Sequence, residues 1–295
     1  VEIEVDKVTA RILKHLHPDT EGRNMTFNDG FETVRLAEGQ FDLAISNIPF
    51  GNYPVIDRAL KDARLKACIH DYFFARAISL VRPGGVIAFI TSRYTLDKKN
   101  KTFREWLAQR TDLLAAVRLP DTAFLGNAGT QVVTDILFLQ KRLALREAGD
   151  LPGWVETQEI ELDHDGYLKN EEDQDGKVRH NLIYCEHPEW LIGHVATRRG
   201  MYSAGEYTVR YNGDQPIAER VSEILADALP QDALVTGQTV SQVRDVVVET
   251  IPAPHVISIP QDTPIDHRRR LEGLRDIYNA ARSLFLYGPL DQGYF

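Results

Sequence analysis

Two apolar segments with an apolar helix between them constrain the fold of this chain more than any other feature. Residues 41–46 and 86–91 have the composition of buried strands, and residues 69–81 have the spacing of a helix packed against a core. Residues 82–85, Arg-Pro-Gly-Gly, should end that helix, because proline and glycine interrupt helical hydrogen bonding. Apolar strands that alternate with helices are typical of a mostly parallel sheet covered on both faces. We therefore predict an α/β fold.

Shorter segments continue this alternation on the N-terminal side. Residues 1–5 alternate apolar and acidic side chains and predict a short strand, and residues 24–27 predict a second, weaker one. Between them, Asp6 has the position of an N-cap for an amphipathic helix over residues 7–16. The N-terminal part should thus add a strand, a helix and a strand.

The C-terminal side of the predicted sheet ends differently. A helix is predicted over residues 102–109, followed by strands at residues 113–119 and 132–140. No helix separates these two strands. We therefore expect the sheet to finish with an antiparallel hairpin.

The composition changes after Lys141, which predicts a boundary between two domains at residues 143/144. Residues 156–177 are polar and acidic, with sequences typical of turns, and helices are predicted at residues 219–228 and 268–284. The interpretation is a catalytic domain over residues 1–143 and an α+β extension of unassigned role over residues 144–295.

Composition excludes several classes of function. The 295 residues carry a net charge of −9, so nucleic acid would have to be bound by a local patch or by another domain. No apolar run is long enough to span a bilayer, and no secretory signal opens the chain. Cys68 and Cys185 lie far apart, and the nine histidines show no zinc-binding spacing, so no metal is expected. Two buried or half-buried thiols in a reducing cytoplasm are the simplest interpretation.

The first apolar strand ends in Asn47, Ile48, Pro49 and Phe50, called here the NIPF turn. Ligands of open α/β sheets bind beyond the carboxyl ends of the strands, where this turn is predicted to lie. Pro49 holds Ile48 in an extended conformation, so the Ile48 carbonyl and the Asn47 amide oxygen form a pair of acceptors for one amino group. Phe50 offers an aromatic face for a planar ring. Such a turn suits a nucleobase that has been taken out of its stack.

The NIPF turn is similar to the Asn-Pro-Pro-Tyr/Phe motif of the S-adenosylmethionine-dependent N6-adenine DNA methyltransferases. The resemblance implies a Rossmann-like sheet, DNA as the partner, and Asn47, Ile48, Pro49 and Phe50 as the catalytic residues. It also implies that Glu4 contacts the ribose hydroxyls of the cofactor and that Asp29 and Phe31 contact its adenine. Asn47 is implied as a further cofactor contact.

Longer stretches narrow the resemblance. Residues 70–100, 113–142 and 183–202 look like the methylase segment of very large methyltransferase–helicase polypeptides carried by phages and integrative elements, including antirestriction proteins. This implies a helicase region that is fused to or associated with the chain, and no membrane. The resemblance covers most of residues 1–210.

The chain departs from the family pattern in two places. No strand or glycine-rich cofactor loop precedes Val1, so we expect an incomplete sheet without its first strand, and weak cofactor binding. Gly84-Gly85 and residues 126–129 are turns later in the chain and do not replace that loop. Ile48 stands where the family has its first proline, which leaves the carbonyl available but adds a free N–H group and bulk.

Other functions remain open at this point. The same motif serves glutamine N5-methyltransferases that act on release factors and guanine N2-methyltransferases that act on RNA, and the HDYFF and EHPEW sequences argue against both. A non-catalytic scaffold within a larger DNA-processing polypeptide is a further hypothesis.

Some residues also have alternative interpretations. Glu2 competes with Glu4 for the ribose, and Asp29 can be a turn residue only. His70 and Asp71 are interpreted as the start and cap of a helix. The loop at residues 91–93 is followed by three lysines that could contact phosphate groups but are better explained as a solvated charge run: Lys98, Lys99 and Lys101.

Overall fold

The structure, a computed structural model, describes residues 1–18, 24–58, 60–161, 177–198 and 206–230. These residues fall into two compact units, one within Val1–Arg35 and one that begins at Leu36. The predicted helix at residues 268–284 and most of the predicted acidic turns lie outside the described residues.

The first unit contains the predicted strand, helix and strand: β1 (Glu2–Ile3), α1 (Lys7–Leu16) and β2 (Thr26–Phe27). The two strands pair in parallel, with Glu2 opposite Thr26. Asp6 caps α1 as expected, because its side chain accepts a hydrogen bond of 2.7 Å from the Thr9 backbone N–H. The carboxyl ends of β1 and β2 therefore lie at the same edge of this pair.

The second unit is built on a four-stranded sheet of β3 (Phe41–Asn47), β4 (Val81–Ser92), β5 (Thr111–Leu119) and β6 (Thr134–Lys141). The spatial order is β3-β4-β6-β5, with β3 parallel to β4 and β6 antiparallel to both of its neighbours. The antiparallel final pair is confirmed, but the expectation that no helix separates its two strands is wrong, since a short helix lies between them at Leu125–Ala128. The expected mostly parallel sheet is mixed in this part of the chain, because β6 inserts between β4 and β5.

Four helices connect these strands: α2 (Ile69–Leu80), α3 (Tyr94–Asp97), α4 (Thr102–Arg110) and α5 (Leu125–Ala128). α2 ends at Leu80, just before residues 82–85 as expected. These four residues lie within β4 as an irregular segment, since the pairing with β3 passes from Val81 opposite Phe41 to Val86 opposite Leu43. Glycine is required at Gly85, where a Cβ atom would lie 2.7 Å from the Asp42 carbonyl oxygen of the neighbouring strand. The arginine-proline-glycine-glycine sequence thus lets β4 approach β3 closely.

Replacing Gly85 by alanine is expected to lower the free energy of unfolding by about 1–3 kcal/mol, as overpacking of a core does. The new methyl group would meet both the Asp42 carbonyl and Cγ1 of Val81. Urea denaturation measures the loss. Gly149→Ala is the control, because a Cβ there meets no atom within 4 Å. Equal effects of the two substitutions would contradict this account of Gly85.

The described residues after residue 150 form two antiparallel strand pairs and two α-helices. β7 (Thr157–Glu161) pairs with β8 (Lys177–Asn181), and β9 (His194–Arg198) pairs with β10 (Glu206–Arg210). The helices are α6 (Ile183–Glu186) and α7 (Ile217–Ala228), of which α7 agrees with the helix predicted at residues 219–228.

This extension packs on the sheet through a common core. Trp154, Tyr184 and Ile224 belong to the same buried cluster as Leu107 and Leu137, which lie on the other side of the predicted 143/144 boundary. The boundary stays a prediction, and the packing of the described residues does not break there. Cys185 is exposed rather than buried, whereas Cys68 is half-buried as expected.

A buried arginine joins the extension to the sheet. Arg118 of β5 is fully buried and forms bidentate ion pairs with Asp135 at 2.7 and 2.8 Å and with Asp97 at 2.8 and 3.0 Å. It also donates to the Tyr207 hydroxyl of β10 at 2.8 Å. Burial alone would lower the pKa of Arg118, but Asp135 and Asp97 raise it well above its ordinary value. The guanidinium is therefore permanently charged and fixed by groups from β6, α3 and β10.

Candidate functional site

The carboxyl ends of three strands meet at one edge of the four-stranded sheet. β3 and β4 run in parallel, and β5 has the same direction because β6 is antiparallel to both β4 and β5. Asn47 is the last residue of β3 and lies opposite Ile90, two residues before β4 ends. The structure thus places the NIPF turn at the edge where ligands of α/β sheets bind.

Ile48 fits this position better than its sequence suggests. Its backbone N–H donates to the Ile90 carbonyl at 3.0 Å, so the expected additional free N–H is wrong. Its side chain is only 1 % exposed and belongs to the main core. A proline could not make this hydrogen bond, because it has no N–H. Isoleucine therefore extends the β3–β4 pairing by one bond at the start of the turn.

The acceptor groups of the turn are available to a ligand. Asn47 is exposed, and its side-chain amide makes no hydrogen bond with the residues that the structure describes. Within the same part of the chain, no backbone N–H donates to the Ile48 carbonyl. Two neighbouring acceptors, as the amino group of a nucleobase requires, are thus present at the sheet edge.

Phe50 is half-buried and packs against α2. Its ring centroid lies 6.1 Å from that of His70, and the two ring planes meet at 63°. Pro49 is exposed. The phenylalanine ring is therefore held in place on one side while part of its surface stays accessible.

The predicted cofactor residues Glu4, Asp29 and Phe31 belong to the first unit, where the ends of β1 and β2 are tied together. The side-chain amide of Asn28 donates to the carbonyl oxygens of Glu4 and Val5, at 3.0 Å each. Asp29 is exposed and accepts a hydrogen bond from the Gly30 N–H at 2.8 Å, and Phe31 is half-buried. Glu4 and Asp29 thus lie at the same edge of the β1–β2 pair.

Glu4 has fewer hydrogen-bond partners than Glu2 among the described residues, which favours Glu4 for the predicted ribose contact. Glu2 accepts a hydrogen bond from the Thr26 hydroxyl at 2.8 Å and forms an ion pair with His17. The Thr26 hydrogen bond is the main cause that lowers the pKa of Glu2. Glu4 accepts one hydrogen bond from the described residues, from the Asp6 N–H at 2.8 Å. Its second carboxylate oxygen is available for a hydroxyl group.

This donor set fits the nucleoside end of S-adenosylmethionine. A half-buried carboxylate at Glu4 suits a ribose diol, and an exposed carboxylate at Asp29 with the Phe31 ring suits an adenine. A joint role of Asn47 in cofactor binding stays a prediction, since Asn47 belongs to the second unit.

The charged residues at the start of α2 and after β4 have other partners than the sequence suggested. The N-cap of α2 is Cys68, and Asp71 does not cap the helix. Both carboxylate oxygens of Asp71 instead accept hydrogen bonds from Lys98, at 2.6 and 2.7 Å. Lys101 pairs with Glu156. Two of the three lysines are therefore held in ion pairs, which explains them without a phosphate ligand.

Sequence reasoning missed two buried polar groups near this edge. His70 has the exposure of a core residue at 8 %, and Arg118 is buried with two aspartates. A histidine in an apolar helix beside the NIPF turn was the available signal for the first. No local signal indicates the second, because its partners lie 17, 21 and 89 residues away.

The N-terminal part of the chain matches the sequence model of a known methylase family. Residues 2–124 match the family model of the Eco57I restriction-modification methylases. The match to a methylase family identifies S-adenosylmethionine as the cofactor of this part of the chain, as expected from the NIPF turn.

Two characterised proteins are similar to the chain over shorter stretches. It is 28% identical over 142 residues to the defense against restriction protein B of Escherichia phage P1, which covers 48% of this chain and 6% of that protein. It is 28% identical over 123 residues to the type II methyltransferase M.BanIII of Aneurinibacillus aneurinilyticus, which covers 39% of this chain and 20% of that enzyme. The chain thus spans a small part of the length of both relatives.

A solved structure, that of the M protein of the type I restriction enzyme EcoKI, is 20% identical with a TM-score of 0.37. It covers 47% of this chain and 30% of the M protein.

No helix in the described part of the chain is both long and apolar enough to cross a membrane.

Proposed function

We propose that this chain supplies the catalytic turn of a DNA methyltransferase that transfers a methyl group from S-adenosylmethionine to the N6 atom of adenine. The observation that carries the proposal is the NIPF turn at the carboxyl edge of the sheet, with two available acceptors beside a half-buried aromatic ring. The match of residues 2–124 to a restriction-modification methylase family supports DNA as the substrate class.

The amino group of adenine is a poor nucleophile, because its lone pair is delocalised into the ring. In the proposed mechanism, Asn47 Oδ1 and the Ile48 carbonyl accept hydrogen bonds from its two N–H groups and localise the lone pair on N6. The Ile48 N–H bond to Ile90 holds the backbone so that the carbonyl stays in place. When bound, the cofactor would supply the methyl group from its sulfonium and leave as the neutral thioether, and the methylated N6 would lose one proton to solvent. Alignment for in-line attack and preorganised acceptors provide the rate, and no covalent enzyme intermediate is required.

Base extrusion is the second part of the mechanism. Unpairing and unstacking a base costs a few kcal/mol. Stacking on an aromatic side chain returns about 1–3 kcal/mol, so Phe50 offsets much of this cost. Glu4, Asp29 and Phe31 would hold the cofactor, and a helicase region in the same assembly would deliver the DNA.

The product test decides between this proposal and its alternatives. The full-length polypeptide is incubated with DNA and with S-adenosylmethionine carrying a labelled methyl group, and the DNA is digested to nucleosides. We expect the label in N6-methyladenine. Label in another base, in RNA guanine or in protein glutamine would contradict the proposal. An absence of transfer with intact folding would favour the non-catalytic scaffold.

Substitutions of Phe50 separate stacking from packing. Phe50→Tyr should retain most activity, because the aromatic face is unchanged. Phe50→Ala should lower kcat/KM for DNA roughly ten- to hundredfold, which corresponds to the loss of about 1–3 kcal/mol of base stacking. Methyl transfer and the fluorescence of 2-aminopurine at the target position measure the two effects. Large and equal losses of thermal stability in both variants would show that Phe50 serves the core instead.

A further inference from the structure

His70 is a buried polar residue in direct contact with the NIPF turn. It is the second residue of α2, its exposure is 8 %, and its ring packs against Phe50 at a centroid distance of 6.1 Å. Among the described residues, its Nε2 atom has no hydrogen-bond partner of good geometry. Its Nδ1 atom lies 3.9 Å from the Cys68 sulfur. The imidazole thus contacts the turn while one of its nitrogens is left unsatisfied.

The surroundings keep this imidazole neutral. Burial and, to a smaller extent, the Lys98 ammonium together lower the pKa of His70 to about 4, while the backbone of Pro49 acts in the opposite direction. Lys98 is itself paired with Asp71, the next residue of α2. The Pro49 carbonyl is therefore the acceptor that a neutral imidazole N–H of His70 can use. In this structure the two groups do not form a hydrogen bond of good geometry.

Stability does not explain this arrangement. A buried polar atom without a partner costs about 1–3 kcal/mol, and an aromatic hydrocarbon ring would fill the same space without that cost. Catalytic hydrogen bonds are often long or poorly aligned without substrate and tighten in the complex. An unsatisfied nitrogen beside the turn that grips the base is consistent with such a bond.

We propose that His70 is a positioning residue for the NIPF turn, with Nε2 donating to the Pro49 carbonyl once the extruded base is stacked on Phe50. The bond fixes the turn, so that the Asn47 and Ile48 acceptors keep their spacing around the amino group. This role rests on the proposed methyltransferase function and adds a residue to it.

His70→Phe tests the proposal, because it keeps an aromatic ring and removes both nitrogens. We expect the thermal stability of the full-length polypeptide to be unchanged or higher, while kcat/KM for DNA falls at least tenfold and the 2-aminopurine signal of base extrusion weakens. His70→Gln, whose amide nitrogen reaches about as far as Nε2, should recover part of the activity. A merely structural role would make activity follow stability instead.

His180→Phe is the matched control. His180 is also buried, at 3 % exposure, and burial also lowers its pKa to about 4. Its Nδ1, however, is bonded to the Tyr207 hydroxyl at 3.1 Å, and its ring packs against Tyr184 and Tyr207. This variant should lose stability and keep the kcat/KM of its folded fraction. If His70→Phe does not fold, His70→Leu takes its place in the same comparison.

The outcomes separate the two proposals. Wild-type kcat/KM in His70→Phe, or no advantage of His70→Gln over it, would overturn the role of His70 while wild-type formation of N6-methyladenine stands. A wild-type polypeptide that forms no N6-methyladenine would overturn the proposed function itself, and with it the role of His70.

Discussion

Asn47→Ala is expected to lower kcat for methyl transfer about 10²–10³-fold while leaving the chain folded. Asn47 is exposed, and its amide makes no hydrogen bond with the described residues, so its removal should change the free energy of unfolding by less than about 0.5 kcal/mol. Loss of one preorganised polar group at a reacting centre typically costs about 10²–10³ in kcat. Transfer of labelled methyl groups to DNA by the full-length polypeptide measures the effect.

Two further variants make this experiment specific. Asn47→Asp keeps an acceptor oxygen at the same place and should retain more activity than alanine does. Asn212→Ala replaces another exposed asparagine, in the segment between β10 and α7, and should leave activity unchanged. Near-wild-type activity in Asn47→Ala would show that this side chain does not grip the amino group.

Arg118→Met should cause the largest loss of stability of any single substitution discussed. The side chain is fully buried between Asp97 and Asp135, and its removal leaves Asp135 without a cation and Asp97 with only the longer ion pair to Arg93, at 3.3 Å. Breaking a buried ion pair in this way typically costs about 3–5 kcal/mol. Because Tyr207 also loses a partner, the extension should loosen from the sheet. Urea denaturation, followed by tryptophan fluorescence, measures the loss.

The geometry of the network provides the controls. Arg118→Lys keeps the charge but cannot form both bidentate pairs, so its loss should be intermediate. Arg220→Ala removes an exposed pair with Glu223 and should have no measurable effect. If Arg118→Met and Arg220→Ala were equally stable, the buried network would not hold the extension in place.

The sequence by itself determined the local elements and the position of the site. Strand β3, helix α2 and strand β4 follow from runs of apolar residues whose periodicity is encoded within the segment. The Asp6 cap and the NIPF turn follow from a few adjacent residues, since proline and capping side chains act on their immediate neighbours.

Only the tertiary structure decided the features that join distant residues. Strand β6 lies between β4 and β5, and the Ile48 N–H donates to the Ile90 carbonyl of the neighbouring strand β4. The His70 ring packs against Phe50 of the NIPF turn, and Arg118 forms hydrogen bonds with residues up to 89 positions away in the chain. The physical reason is that any buried charge or N–H group requires a hydrogen-bond partner, and this much follows from its chemistry. Which residue becomes that partner depends on the packing of the whole sheet.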